Sequence, residues 1–369
     1  MATNKQAGGV AAVILAAGMS RRMRGRTPKQ ILQVGGKTLL ERALENVRAS
    51  KVSETVLVLG ANAGEIKQQL SPSGIKVALN DDYQQGMGTS LRSGLGALNS
   101  SIEAALIVLA DQPFVRAETL DKLIAYHRRS AAQIVIPLYR GFRGNPVLLD
   151  RSVFPEVMNL SGDVGCRAIF GNHSEGIHKV EVDDPGILLD IDTEEDLRRV
   201  EALGGDSECL RLPELELRNV EQVAAPDLVI VGRDEVARAL GGLARVLKFK
   251  VTFVDPLLTL TDLPEADRVL HVLKFSLLPT SDRFVVVASR GQCDEEALEQ
   301  ALGTGASYVA LLANRKRAEE VMHSLKFRGI SEEKLRTVRA PAGLEIGAQT
   351  PEEIALSILA EVVASRRKS

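Results

Sequence analysis

Five cations fall within nine positions directly after a turn of small residues: Leu15-Ala16-Ala17-Gly18-Met19-Ser20 runs into Arg21, Arg22, Arg24, Arg26 and Lys29. Small side chains let backbone amides approach a nucleotide, and clustered cations neutralise its polyphosphate. The spacing matches neither the Gly-Lys-Ser/Thr phosphate loop nor Gly-x-Gly-x-x-Gly. A solvated basic turn would account for one or two arginines, but poorly for this density. A second chemistry-bearing residue is Asp111, in Ala110-Asp111-Gln112-Pro113 after the apolar run 105–109. A carboxylate at the end of a parallel strand stands where open α/β sheets bind ligands, and it suits Mg²⁺, a hard cation that also takes phosphate oxygens. Capping the turn before Pro113 is the structural alternative. Asp190 and Asp192 face one side if their stretch is extended, so either could complete a metal shell. Capping the next helix competes with that role.

These residues need elements to hold them. Apolar β-rich runs at 10–15, 55–59, 105–109 and 134–137 alternate with helical periodicity at 39–49, 90–98 and 118–129, which builds a largely parallel sheet covered by helices. Thr193 is placed to cap an acidic helix, and the first half closes near Leu203. Residues 204–226 carry Gly204-Gly205, Pro213 and Pro226 and fit a linker with room for a short strand or helix. The second half restarts as strand 227–231, helix 235–247 with Val236, Ala239, Leu240, Leu243 and Leu247 on one apolar face, and strand 250–254 ending in Asp255. The expected domains are 1–203 and 227–369 with 204–226 between them, and 369 residues are enough for two cores.

Composition narrows the function classes. With 45% hydrophobic and 25% charged residues the chain is of the globular type, and a net charge of −2 gives no basic surface for nucleic acid or anionic membrane. Cys166, Cys209 and Cys293 form no C-x-x-C pair, so neither a disulfide framework nor a zinc site is suggested. The apolar run 10–17 is too short for a signal or a membrane span, and a cytoplasmic location is expected.

The opening motif resembles the MobA-like nucleotidyltransferase family, in particular the molybdenum cofactor cytidylyltransferases of the MocA type. The family runs Leu-Ala-(Ala/Gly)-Gly, Ser, Arg-Met-Gly and Lys; here these are Leu15-Ala16-Ala17-Gly18, Ser20, Arg22-Met23 and Lys29, with Arg24 inserted before Gly25. The stretch Gly86-Met87-Gly88-Thr89-Ser90-Leu91-Arg92-Ser93-Gly94 is similar to the family's segment beside the base, although alone it reads as a glycine hinge. The resemblance implies Arg22, Lys29 and Asp111 as catalytic residues. It implies nucleotide binding by Leu15, Ala16, Ala17, Gly18, Ser20, Arg22, Lys29, Gly86 and Ser90, and metal binding by Asp111 with Asp190 or Asp192. Stretches 141–149 and 160–167 look like the acceptor side of the molybdopterin cytidylyltransferases, with Arg143, Gly144, Asn145, Pro146, Asp163 and Arg167 as candidates; two ordinary turns are the alternative. Leu-Ala-Ala-Gly is more similar to the CTP-using branch than to the GTP-using one. The implied reaction is transfer of CMP from CTP to molybdopterin, with Mg²⁺ and release of pyrophosphate.

From Asp227 onward the chain resembles the Rossmann domain of XdhC/CoxI-type proteins, which implies a molybdenum hydroxylase apoenzyme of the xanthine or CO dehydrogenase type as client. The best-matching stretch is 340–355, where Thr350, Pro351 and Glu353 also form a helix start. Where that family has Gly-x-Gly-His, this chain has Gly232-Arg233-Asp234-Glu235, and Asp234 would repel a pyrophosphate. Asp255 stands where a ribose-binding acid would, but Ser289-Arg290-Gly291-Gln292 and Asn314-Arg315 replace expected polar pairs. A structural or docking domain follows, rather than a second active site. The fold expected is α/β in two domains: an N-terminal Rossmann-like three-layer nucleotidyltransferase domain (GT-A-like) and a C-terminal Rossmann-like XdhC domain. The rival functions are a non-catalytic molybdenum cofactor binding and insertion chaperone, or transfer to another phosphorylated acceptor. An NAD-dependent oxidoreductase is disfavoured by Asp234.

Overall fold

Strand β1 (Gly9–Ala16) is apolar along its length and mostly buried, as a strand covered on both faces must be. In the computed structural model, which describes residues 8–18, 28–69, 74–202, 213, 215–217, 226–278 and 283–366, it lies inside the larger of two main sheets. The chain divides into two units, Met1–Tyr139 with Arg143–Arg211, and Leu212–Ser369 with Arg140–Phe142. The division falls inside the stretch 204–226.

In the first unit β1 is followed by β2 (Gln33–Val34), β3 (Lys37–Thr38), α1 (Leu39–Ala49), β4 (Glu54–Leu59), α2 (Ala63–Gln69), β5 (Lys76–Leu79), α3 (Met87–Gly96) and β6 (Ile102–Leu109). Then come α4 (Ala117–Arg129), β7 (Ile134–Tyr139), β8 (Phe142–Arg143), β9 (Val147–Asp150), α5 (Phe154–Val157), β10 (Ile177–Glu181) and α6 (Glu194–Ala202). The sheet order is β10-β7-β9-β6-β1-β4-β5, with β8 on β7. β1 runs parallel to β4 and β6, while β9 runs antiparallel to both its neighbours. Val13, Val56, Val58, Ala105 and Ile107 form one core with Leu91 and Leu95 of α3. The alternate set, including Ala12, Ile14, Leu57 and Leu106, is equally buried, so both faces of the sheet are covered.

The second unit contains β11 (Leu215–Leu217), β12 (Asp227–Val231), α7 (Glu235–Val246), β13 (Lys250–Val254), β14 (Arg268–Leu270), β15 (Arg283–Val287), α8 (Asp294–Gly303), β16 (Tyr308–Leu311), α9 (Arg315–Phe327), α10 (Glu332–Leu335), β17 (Val338–Arg339) and α11 (Pro351–Arg366). Its sheet order is β11-β14-β13-β12-β15-β16-β17, with β11 antiparallel to β14 and the other pairs parallel. The order reverses between β12 and β15, the switch point at which such sheets take ligands. α11 starts at a capping box: Glu353 N donates to Thr350 Oγ1 at 3.2 Å and Thr350 N to Glu353 Oε2 at 3.1 Å. The expected apolar face of α7 is corrected at one point. Ala237, Leu240 and Ala244 reach the core beside Ile358 and Leu359 of α11, whereas Leu247 lies past the helix end and is 47% exposed.

Candidate active site

The carboxyl ends of β1 and β6 are tied together where Ala110 N donates to Leu15 O at 3.1 Å. Ala16 and Ala17 are buried, so Gly18 is the exposed member of the first loop. Gln30, itself buried, grips this loop from behind: its Nε2 donates to Ala16 O at 3.1 Å and to Gly18 O at 3.2 Å. Ser20, Arg22, Arg24 and Arg26 lie outside the described residues.

Lys29 precedes Gln30 on the same short turn, and its Nζ donates to Asp111 Oδ2 at 2.7 Å and to Asp192 Oδ1 at 2.8 Å. Three residues drawn from separate parts of the sequence therefore meet, and the two carboxylate oxygens stand no farther apart than the sum of those distances. The backbone fixes this meeting, since Asp111 O accepts from Ile191 N at 2.9 Å, which pins 190–192 to the end of β6. Thr193 does the capping of α6: its Oγ1 accepts from Asp196 N at 3.1 Å, and Asp196 Oδ2 accepts in turn from Asp192 N and Thr193 N. The Asp192 carboxylate accepts from Lys29. Asp190 Oδ1 instead accepts from Gln112 Nε2 at 2.6 Å, and the same amide reaches Ile187 O at 3.3 Å. Burial opposes the Lys29 charge, yet Asp111 and then Asp192 outweigh it and hold the lysine above its ordinary pKa.

A divalent ion fits here on two grounds. Asp111 Oδ1 is buried with no hydrogen-bond partner, an expensive state for a carboxylate oxygen unless another ligand takes it. The donors are hard oxygens, as Mg²⁺ prefers. Among the described residues no cluster of three or more metal-binding side chains occurs. Asp111 and Asp192 are the carboxylates that meet at Lys29.

The segment expected beside the base is built differently from its sequence impression. Gly86 has φ +108°, and a Cβ there would stand 2.4 Å from Asp163 N and 2.5 Å from Gly162 O. Only glycine fits. Gly88 N donates to Gly162 O at 3.2 Å and Met87 N to Asp163 Oδ1 at 3.4 Å, so Asp163 sits at the start of α3. Ser90 is buried, and its Oγ accepts from Asn80 Nδ2 at 3.0 Å. Of the acceptor candidates, Arg143, Gly144 and Pro146 are buried, and Asn145 N donates to Ile187 O at 3.0 Å, the carbonyl shared with Gln112. Asp163 and Arg167 are exposed. The first acceptor stretch thus adjoins Asp111 through Ile187, and the second adjoins Gly86. Gln30, Gln112 and Asn80 are the residues that sequence reasoning left without a role.

Cys166 is buried, and burial pushes its thiol up to about 12. Cys293 is also buried, and Cys209 lies outside the described residues.

At the switch point of the second unit the polar residues are committed to one another. A Cβ on Gly232 (φ +122°) would stand 2.3 Å from Ala288 O, so the turn does close tightly. The helix start beyond it is already filled, however: Asp234 Oδ1 accepts from Ala237 N at 2.8 Å, and its Oδ2 accepts from Arg290 Nε at 2.9 Å. Asp255 is fully buried, accepts from Leu257 N and Leu258 N, and pairs with Arg233 at 3.6 Å. Asn314 caps α9 by accepting from Arg317 N at 2.8 Å.

A nicotine blue oxidoreductase from Paenarthrobacter nicotinovorans is 32% identical over 197 residues, which is 52% of this chain and 96% of that protein. The model of the MobA-like NTP transferase domain matches residues 12–177. The chain belongs to the MobA-like NTP transferase family. A second model, the XdhC Rossmann domain, matches residues 228–362. Uncharacterized protein YqeB of Escherichia coli (strain K12) is 33% identical over 146 residues, 37% of this chain and 27% of that protein, so the chain spans about a quarter of that relative. Rv0371c of Mycobacterium tuberculosis H37Rv, a solved structure, is 29% identical with a TM-score of 0.48, covering 53% of this chain and 98% of that one. MobA-like nucleotidyltransferases use a nucleoside triphosphate and a divalent metal, and the pairing of a MobA-like half with an XdhC half fits molybdenum cofactor maturation.

Proposed function

We propose that the MobA-like half transfers CMP from CTP to molybdopterin, in its molybdenum-bearing form, for a molybdenum hydroxylase apoenzyme of the xanthine or CO dehydrogenase type. The observation that carries the reading is the convergence of Lys29 on Asp111 and Asp192 beside the first glycine loop. In this reading Asp111 and Asp192 hold Mg²⁺, which supplies charge neutralisation at the phosphates. Asp190, held by Gln112, orients the segment behind them. Leu15, Ala16, Ala17, Gly18 and Ser20 line the nucleotide, Arg22 and Lys29 take its β- and γ-phosphates, and Gly86 and Ser90 border its base and ribose. Arg143, Gly144, Asn145 and Pro146 on one side, and Asp163 and Arg167 on the other, receive the pterin and its phosphate.

No protein nucleophile is needed. A phosphate oxygen of molybdopterin attacks the α-phosphorus of CTP in line, one P–O bond forms, the bond to the β-phosphate breaks, and pyrophosphate leaves with its charge stabilised by Arg22 and Lys29. Positioning and charge neutralisation supply the catalysis. The XdhC half, from 227 onward, serves as a docking module for the client, joined through 204–226. The test is pyrophosphate release with molybdopterin and each of the four ribonucleoside triphosphates. CTP should be preferred, and equal rates with a sugar phosphate, or no release with any pterin, reject the proposal.

One observation favours a second reading, namely the relative named as an oxidoreductase. An electron donor consumed by the chain without pyrophosphate release would select it.

A further inference from the structure

Lys29 binds both Asp111 and Asp192, and an ion bridging those same two oxygens would need the place of its ammonium. We propose that Lys29 is a resident placeholder. It keeps the carboxylate pair assembled, disfavours metal in the absence of nucleotide, and yields the pair when a metal–nucleotide complex arrives, turning its ammonium to the phosphates. The inference rests on the reading that these two carboxylates take the metal.

Three features carry it. The ammonium contacts one oxygen of each carboxylate at 2.7 and 2.8 Å, so an ion held by that same pair of oxygens, at the roughly 2.1 Å that Mg²⁺ demands, has to replace the nitrogen. Two carboxylates this close repel unless a cation lies between them, so the exchange is one cation for another and never leaves the pair bare. The lysine also has somewhere to go. Its backbone adjoins Gln30, which is bonded to Ala16 O and Gly18 O; the turn therefore stays on the nucleotide loop while a flexible four-carbon stem moves its charge. A triphosphate gives the displaced ammonium a new anionic partner, whereas metal alone gives it none. Metal and nucleotide should therefore bind with positive coupling, each raising the affinity for the other by the same factor.

The experiment measures Mn²⁺ binding to the full chain by electron paramagnetic resonance of the free ion, with and without CTP. It compares the parent protein with Lys29→Met, Lys29→Arg and the double variant Lys29→Met/Asp111→Asn. The parent should bind Mn²⁺ weakly alone and at least about ten-fold more tightly with CTP, within the usual range of such coupling. Lys29→Met should bind Mn²⁺ alone at least about ten-fold more tightly than the parent and lose most of the CTP-dependent gain. Lys29→Arg should stay weak, and the double variant should lose the added affinity. Because Lys29→Met takes one cation away from two carboxylates, melting is followed as well: Mn²⁺ should raise the melting temperature of that variant more than that of the parent. Mn²⁺ binding that depends on Asp111 but is unchanged or weaker in Lys29→Met overturns the exchange while sparing the metal assignment, since the ion would then sit on Asp111 Oδ1 beside a stationary lysine. Mn²⁺ binding that is absent even with CTP, or indifferent to Asp111, overturns both.

Discussion

Gln112 donates its side-chain amide to Asp190 at 2.6 Å while the residue before it, Asp111, accepts from Lys29. This bond gives different partners to two aspartates that the sequence presents as equivalent. Asp192→Asn should lower pyrophosphate release by roughly 100-fold or more, the scale for losing a group that neutralises developing charge. Asp190→Asn keeps an oxygen for Gln112 and should cost about ten-fold at most. Steady-state rates of the two variants side by side check the difference, and equal losses would contradict it.

Asp111→Asn should abolish turnover and leave the melting temperature close to that of the parent. Asp111 is partly exposed at a strand end, and its loss removes one of two like charges while Lys29 keeps Asp192. Circular dichroism melting together with the rate assay tests both halves. A collapse of the fold would mean that Asp111 is chiefly structural.

Gln30→Ala leaves two carbonyls of the first loop without their donor at a site that is 2% exposed. Stability should fall by about 1–3 kcal/mol, the usual penalty for buried polar groups left unpaired. The loosened loop should raise KM for the nucleotide more than it lowers kcat. Denaturant unfolding and nucleotide saturation curves read the two effects separately.

How much of this was legible in the sequence depends on how far apart the partners lie. Asp111 stands out because it follows an apolar strand almost directly, and Lys29 because it closes a run of five cations, while β12 (Asp227–Val231) and β13 (Lys250–Val254) show as mostly apolar runs. Choosing Asp192 over Asp190 required Gln112, whose reach is set by how 190–192 pairs with the end of β6, a matter of register that no local pattern encodes. Gln30 and Asn80 look like surface amides until their partners are known. The strand β10 (Ile177–Glu181) sits at the sheet edge with Lys179 and Glu181 exposed, so it lacks the apolar run that marks β1. On α7, the small residues Ala237, Gly241 and Ala244 are buried, Gly241 so close to Phe253 of β13 that a Cβ would stand 2.8 Å from its ring; apolar periodicity weights large side chains and so favoured Leu247.

The full chain should show no low-micromolar binding of NAD(H) or NADP(H) by titration calorimetry. The amide of Ala237, which a dinucleotide phosphate would need at the start of α7, is already taken by Asp234. Asp234→Ala should reduce the stability of the second unit by about 1 kcal/mol through loss of the cap. Tight dinucleotide binding by the parent would refute this account of the switch point.

Cys166 and Cys293 should resist alkylation at about pH 8 in the folded protein and react once it is unfolded. Both are buried, and the Cys166 thiol, pushed up to about 12, stays protonated well above that pH, while an ordinary thiol near 8.5 would be partly thiolate. Peptide mapping after iodoacetamide treatment reports each position. Rapid labelling of Cys166 in the folded protein would contradict this burial.

The reversed direction of β9 sets where the stretch before it lies. Because Val147 pairs with Ile107 and Asp150 with Ala104, the chain enters β9 at the end where β6 delivers Asp111, and residues 143–146 arrive there without a crossover helix. A Cβ at Gly144 would stand 2.3 Å from the Ile187 carbonyl oxygen, so this short return into β9 holds both its length and its glycine while it brings Asn145 onto the carbonyl that Gln112 also reaches.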